Sequence, residues 1–326
     1  MNILIFSWRG PKHPNAGGAE ISTHEHAKSW GNAGHDVTLF TSTFVGCKKQ
    51  EIIDGIKIER RGKQIFGVQW EALKWYVFGK HPKFDLVVDQ FHGIPFFTPL
   101  YIKAKKLGFI HEVTKEVWRL NPWPWPFNWM VACIGEIFEP LVFKLLYKKI
   151  PFMTVSESTK DHLIKWGILD SHITVIHNGV KLPKSFTPLP KERKRTGIYL
   201  GAISKDKGIE DAINIFAQIL GKENKWQFWV VGKAEVNYLN FLKKQMKKIG
   251  ISKNVVFFGF VSEKNKYKLL SRAHFLINPS IREGWGLVVI EAASVGTPTV
   301  GYDVPGLRDS IINNKTGILC TPTPEA

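Results

Sequence analysis

Short apolar runs of four to six residues alternate with longer amphipathic ones, twice over, with a proline-rich break between the two series. That rhythm constrains the fold more than any single motif. In the first half, strands are expected at Ile3–Ser7, Asp36–Thr41, Ile56–Arg60, Leu86–Asp89, Phe152–Val155 and Ile173–Ile176. Helices are expected at Gly18–Trp30 and at Ser158–Trp166, the latter with Ser156 and Ser158 offering N-cap oxygens. Lys184 to Arg195 then brings prolines and dense charge with little apolar periodicity, and reads as a linker. Beyond it the rhythm restarts. Strands are expected at Gly197–Leu200, Phe228–Val231, Val255–Phe258, His274–Ile277 and Pro298–Val300, with helices at Gly208–Leu220, Tyr238–Ile249, Glu263–Ser271 and Leu287–Val295. Short apolar strands interleaved with helices predict parallel sheets covered on both faces, an α/β fold. The 326 residues therefore divide into a first domain 1–183, a linker 184–195 and a second domain 196–326, each large enough to bury its own core.

The run Arg282-Glu283-Gly284-Trp285-Gly286-Leu287-Val288-Val289-Ile290-Glu291-Ala292 carries the clearest chemistry. Glu283, Gly284 and Gly286 fall in a loop after an apolar strand, and Glu291 falls early in the helix that follows. Glycines let backbone N–H groups approach a ligand, and a helix start at Leu287 favours an anion. A carboxylate accepts paired sugar hydroxyls. Together they suit a ligand that is both phosphate and sugar, and a nucleotide sugar satisfies both. Gly17 and Gly18 follow the first strand and open a helix, so N–H groups there also suit a diphosphate.

The pattern Pro279-Ser280-x-x-Glu283-Gly284-Trp285-Gly286-Leu287-x-x-x-Glu291-Ala292, then Gly296-Thr297-Pro298, resembles the retaining glycosyltransferases of family four. Further landmarks follow that family's order: Gly17-Gly18-Ala19-Glu20, Val155-Ser156-Glu157-Ser158-Thr159, Ile176-His177-Asn178-Gly179-Val180, Gly201 with Lys207-Gly208, and Pro305-Gly306-Leu307. The resemblance implies the GT-B fold, two Rossmann-like doubly wound domains facing each other across a cleft. The first would bind the acceptor and the second the nucleotide sugar. It implies a retaining hexosyltransferase using a UDP- or GDP-linked donor, and a lipid-linked or glycan acceptor. By the same resemblance Glu291 holds the ribose, Glu283 faces the donor sugar, Lys207 meets the diphosphate and His111 stands near the reacting sugar. His92 is a weaker acceptor-side candidate. The family's usual arginine after the glycine is replaced by Ala202, leaving Lys205 as the nearest substitute, a point charge rather than a planar fork. The family's chain also continues past Thr316-Gly317-Ile318-Leu319 into a helix that returns to the first domain, so the second domain reads as truncated at Ala326. A nucleotide-sugar-binding relative with weakened transfer is the first alternative reading.

Charge gives the second alternative. With 45 basic and 28 acidic residues the net charge is +17, which suits nucleic acid, an anionic membrane or anionic substrates. No nucleic-acid-binding motif accompanies the lysines, which group as Lys103-Lys105-Lys106, Lys144-Lys148-Lys149 and Lys243-Lys244-Lys247-Lys248 and are expected on helices. Trp118, Trp123, Trp125 and Trp129 crowd among prolines ahead of an apolar helix from Val131 to Leu146. Tryptophans suit a membrane–water interface, whereas Glu136, Glu139 and Lys144 keep that helix from being a span. A packing loop over an acceptor site would use the same tryptophans. The N-terminus lacks a basic signal region, and three cysteines show no metal or disulfide spacing. A cytoplasmic protein, peripheral on the inner membrane face, is the expectation. No D-x-D pattern appears, which suits metal-independent transfer without a cofactor.

Overall fold

The computed structural model describes residues 1–64, 66–91, 93–120, 124–184 and 186–326, so His92 and Trp123 lie outside the described residues. The chain forms two compact units, Met1–His177 and Asn178–Ala326.

Unit 1 contains β1 (Asn2–Phe6), α1 (Gly18–Asn32), β2 (Asp36–Thr41), β3 (Gln50–Ile53), β4 (Ile56–Arg60), α2 (Gly67–Phe78), β5 (Leu86–Phe91), β6 (Lys105–Ile110), α3 (Phe127–Val142), β7 (Phe152–Thr154), α4 (Glu157–Lys165) and β8 (Ile173–Val175). Its eight-stranded sheet runs β3-β4-β2-β1-β5-β6-β7-β8. Only the β3–β4 hairpin at the edge is antiparallel. The β1–β5 seam registers Leu4 against Val87 and Ile5 against Val88, all fully buried, as strands covered on both faces require.

Unit 2 contains β9 (Thr196–Leu200), α5 (Ile209–Lys222), β10 (Gln227–Val231), α6 (Val236–Lys248), β11 (Val255–Gly259), α7 (Glu263–Arg272), β12 (Phe275–Asn278), α8 (Leu287–Ala293), β13 (Thr299–Tyr302), α9 (Leu307–Ser310) and β14 (Gly317–Cys320). The sheet order is β11-β10-β9-β12-β13-β14, all parallel. Counted from β9 this is the doubly wound order, whose direction reverses between β9 and β12. Ligands of such sheets bind outside the carboxyl ends of the strands at that reversal.

Two expectations are corrected. Lys105 and Lys106 begin β6 rather than a helix. The apolar run Leu107 to Ile110 is long enough to pair with both β5 and β7, and only the strand's leading end is cationic. The apolar helix expected from Val131 starts earlier, at Phe127, and passes after Val142 into a five-residue π-helical stretch, Phe143–Tyr147. The described residues of the 184–195 segment have no regular secondary structure. It is strapped to unit 2: Phe186 packs on the core beside Tyr267, Glu192 N–H donates to Arg272 O, and Lys191 Nζ donates to Ala273 O at 2.6 Å.

Candidate functional site

Three loops of unit 2, following β9, β12 and β13, are fastened to one another. Backbone contacts too close for any side chain do the fastening. Gly208 has φ +70, and a Cβ there would lie 1.9 Å from Pro279 O. Gly306 has φ +83, and a Cβ there would lie 2.0 Å from Glu283 O. Both positions combine left-handed backbone with contact distances that only glycine allows. Glu283 N–H also donates to Pro305 O at 3.2 Å. Below, the buried Tyr199 hydroxyl donates to Ala202 O at 2.7 Å, with Lys207 O 3.3 Å away. Burial, then the nearby Glu283 charge, pushes the Tyr199 phenol well above its ordinary pKa, so it stays a proton donor.

On this frame Lys207 Nζ sits 2.9 Å from Glu283 Oε1. Ser280 Oγ, itself buried, lies 2.8 Å from the same carboxylate oxygen. An ammonium, a carboxylate and a hydroxyl thus converge at the carboxyl ends of β9 and β12, where the sheet order reverses. Gly284 and Gly286 flank Trp285 in the same loop, and Gly286, with φ +73, leads into Leu287, the first residue of α8. The first N–H groups of a helix have no partner within it.

Glu291, one turn further along α8, has a second cation that the sequence reading did not single out. Lys266 Nζ on α7 lies 2.7 Å from Glu291 Oε1 and 2.8 Å from Glu263 Oε2. Burial pushes the Glu291 carboxyl above its ordinary pKa, Lys266 pulls it back, and Glu263 adds to the rise. Nothing local in Glu263-Lys264-Asn265-Lys266 marks Lys266 out from its neighbours; only the packing of α7 on α8 does.

The structure separates the two lysines of the β9 loop. Lys205 is exposed and lines a pocket with Gly208, Glu210, Asp211 and Ile281, whereas Lys207 pairs with Glu283.

The unit 1 candidates form a different arrangement. Glu20, buried on α1, accepts from Gly17 N–H at 2.7 Å, from Arg9 Nε at 2.9 Å and from Trp8 Nε1 at 3.3 Å. This carboxylate takes the Gly17 N–H and closes the β1 loop over the start of α1. Gly18 is the first residue of that helix. Ser7 Oγ donates to Gln90 Oε1 at 2.7 Å, joining the ends of β1 and β5, where this sheet's order reverses. His111 follows β6 and is buried, with Nε2 3.4 Å from Thr23 Oγ1 on α1 and its ring 4.4 Å from that of Phe109. It belongs to unit 1 and Glu283 to unit 2. Among the described residues, no group of three His, Cys, Asp or Glu side chains is placed to hold a metal ion.

Two doubly wound units, the second with a polar loop cluster at its reversal point, define a protein of the GT-B class. Solved structures share this fold. Sucrose-phosphate synthase from Thermosynechococcus elongatus superposes with a TM-score of 0.78 at 19% identity, covering 98% of this chain and 86% of that one. HepE of Anabaena, in complex with UDP and glucose, gives a TM-score of 0.71 at 17% identity over 99% and 86% of the two chains. The Glycosyltransferase Family 4 profile matches residues 16–183, just over half of the chain, and the Glycosyl transferases group 1 profile matches residues 182–326. The chain belongs to glycosyltransferase family 4. Among its relatives is the glycogen synthase of Mycobacterium tuberculosis, 29% identical over 200 residues, 60% of this chain and 47% of that protein. Another is the GDP-mannose:cellobiosyl-diphosphopolyprenol alpha-mannosyltransferase of Xanthomonas campestris, 24% identical over 318 residues, 90% of this chain and 77% of that protein. The match thus spans about half the length of the first of these relatives.

Proposed function

We propose that this chain is a retaining glycosyltransferase that moves a hexose from a UDP- or GDP-linked donor to a lipid-linked or glycan acceptor. The observation that carries the reading is the Lys207–Glu283 pair at the reversal point of the second sheet. On this reading Lys207 meets the donor diphosphate, with N–H groups of Gly284, Gly286 and Leu287 adding donors, and Glu283 faces the sugar. Glu291 accepts the ribose hydroxyls. In unit 1, Gly17 N–H is given to Glu20, and the family resemblance makes Gly18 a candidate for the phosphates and His111 a candidate for the sugar.

The chemistry is transfer with retention. The anomeric C–O bond to the diphosphate breaks, and the acceptor oxygen bonds to the same face of that carbon. The acceptor proton passes to the departing diphosphate oxygen, so the chain's work is positioning and charge stabilisation. Lys207 supplies the cation, and the proposed reaction needs no metal or cofactor. Ala202 stands where the family has arginine, so the proposal assigns Lys207 most of the charge.

An acceptor presented at a membrane draws support from the Xanthomonas relative, whose name specifies a diphosphopolyprenol acceptor. Among the described residues no helix is long and apolar enough to cross a membrane. The proposal places attachment peripherally, on the cytoplasmic face.

Thermal stabilisation against UDP-, GDP- and ADP-hexoses tests the donor. A true donor at about a hundred times its dissociation constant should stabilise the fold by roughly 2.7 kcal/mol. NMR of the released or transferred sugar then reads the anomeric configuration. Stabilisation without turnover would mark a binding protein, and stabilisation by none of the three would end the reading.

A further inference from the structure

α3 presents its apolar side outward. Phe127, Met130, Ile134, Ile137, Phe138 and Leu141 recur at three- and four-residue spacing within an arc of about 100°. All are exposed, Ile137 by 65% and Ile134 by 59%. The opposite side packs inward with Ala132, Gly135, Glu139 and Val142. Ordinary surface helices do the reverse.

The inward side is too specific for the helix simply to roll over. A Cβ on Gly135 would lie 2.3 Å from the Trp118 ring, so only glycine admits that indole. Glu139 accepts from Thr114 N–H at 2.8 Å, Lys115 N–H at 3.2 Å and Trp118 Nε1 at 3.0 Å. The outward stripe is therefore fixed in place, and an exposed apolar surface of this extent marks an interaction site.

Its charge surroundings select the partner. The stripe runs on to Leu145, 74% exposed, and ends among the exposed Lys144, Lys148 and Lys149. Lys144 and Lys165 line one groove with Pro140, Leu141, Trp166 and Gly167. At the other end Trp125 and Trp129 are 82% and 65% exposed. A stripe that pairs apolar length with lysines and terminal tryptophans matches an anionic lipid–water boundary. A second copy of a chain with net charge +17 would be repelled, whereas an anionic leaflet attracts it.

We propose that the outward face of α3, with the Lys144/Lys165 groove at its end, docks this chain on an anionic bilayer. The stripe enters the acyl boundary and the groove takes a lipid phosphate. The inference deepens the reading of a membrane-presented acceptor and rests on it.

The full chain is sedimented with vesicles of phosphatidylcholine alone and with added phosphatidylglycerol, at low and high salt. Wild type should partition onto the anionic vesicles, with a part that salt does not remove. Ile134→Ser/Ile137→Ser/Leu141→Ser should lose that salt-resistant part, with binding down at least about tenfold, because apolar side chains no longer leave water. Lys144→Glu/Lys165→Glu should lose the preference for anionic vesicles. Circular dichroism and nucleotide-sugar stabilisation should be unchanged in both variants, which keeps this test separate from the donor reading. Wild type left in the supernatant at low salt would overturn the proposal, as would variants that bind like wild type. So would a wild-type dimer dissociated by the triple serine variant, which would make the face a self-interface.

Discussion

Lys207 Nζ lies 2.9 Å from Glu283 Oε1 across 76 residues of sequence, the two side chains meeting where the β9 and β12 loops run side by side. Neither residue reaches this point without its glycine: Gly208 lets the first loop touch Pro279, and Gly306 lets the third touch Glu283. The pair has a functional consequence. On the proposed reading, a diphosphate engaging Lys207 would compete with Glu283 for the same ammonium, so donor binding and release of the acid toward the sugar would be one event.

The two variants of this pair should behave differently. Lys207→Ala removes a charge-assisted bond worth about 1.5–3 kcal/mol and should weaken UDP or GDP binding by roughly ten- to a hundredfold. Glu283→Ala removes this carboxylate's competition for the lysine, so free nucleotide should bind equally well or more tightly, while transfer falls by about two to three orders of magnitude. Calorimetry with the nucleotide and turnover of the sugar donor read the two effects. Equal loss of nucleotide affinity in both variants would sink the division of roles.

Glu291 gives a pH dependence with a definite sign. Burial raises its carboxyl above the ordinary range, with Lys266 pulling the other way. In the proposed role the ionised form accepts the ribose hydroxyls, so lowering the pH through this raised value should weaken nucleotide binding, sooner than an ordinary glutamate would. Lys266→Met removes the opposing charge and should move that acid limb to still higher pH. Glu291→Gln should bind weakly and lack the limb. Binding isotherms from neutral to about pH 5 decide it, with the Gln variant correcting for titration of the nucleotide's own phosphate. An acid limb unchanged in Glu291→Gln would assign it elsewhere.

Lys205 and Ala202 test how the second cation is supplied. Lys205 is exposed and shares a pocket lining with Glu210 and Asp211, while Lys207 pairs with Glu283. Lys205→Ala should therefore weaken diphosphate binding by less than Lys207→Ala does, about fivefold or under, as expected of an exposed charge contributing up to about 1 kcal/mol. Ala202→Arg should restore a planar fork beside the loop and tighten binding. If Lys205→Ala matches Lys207→Ala in calorimetry, Lys205 swings to the phosphates and the pocket geometry misleads.

What the sequence disclosed divides along a physical line. The strands expected at Ile3–Ser7 and Phe228–Val231 were legible because a strand buried on both faces is mostly apolar. The Glu283-to-Glu291 run was legible because glycine and carboxylate chemistry is local. Lys266 was not, since its role depends on α7 lying against α8. Nor was β6, whose leading lysines resemble the basic helical stretches elsewhere. The reach of α3 was half legible: its apolar periodicity is plain, but periodicity does not say which side faces out. Gly135 and Glu139 decide that, through contacts with Trp118.

Glycine fastening predicts a large cost for small changes. Gly208→Ala and Gly306→Ala each place a Cβ within about 2 Å of a carbonyl oxygen in left-handed backbone. The backbone term alone costs about 1–2 kcal/mol, before the loops separate to relieve the clash. Each should lower the melting temperature by at least roughly 2–8 °C for a domain of this size and loosen nucleotide binding more than an exposed-loop glycine such as Gly250→Ala. Melting curves with and without nucleotide read both. A neutral Gly306→Ala would mean that the loops are not held by this contact.

Unit 1 carries a buried acid whose linkage to pH can be isolated. Asp89 is enclosed within β5 and accepts from Tyr147 OH at 2.6 Å, Thr98 Oγ1 at 2.7 Å, Phe96 N–H at 3.1 Å and Thr98 N–H at 3.4 Å. Burial nevertheless raises its pKa above the ordinary aspartate value, the four donors only partly opposing it. An acid raised on folding binds more protons in the native state, so its contribution to stability is complete below the unfolded value of about 3.9 and is lost as pH rises through the folded one. Asp89→Asn turns an amide toward those donors and should cost about 1–3 kcal/mol at neutral pH. The gap in stability between wild type and Asp89→Asn should then widen as the solution is acidified, because the variant lacks the titration while sharing every other group. Urea unfolding of both proteins across that pH range measures the gap. A gap that narrows toward acid would show that the four donors outweigh burial and hold Asp89 below its ordinary pKa instead.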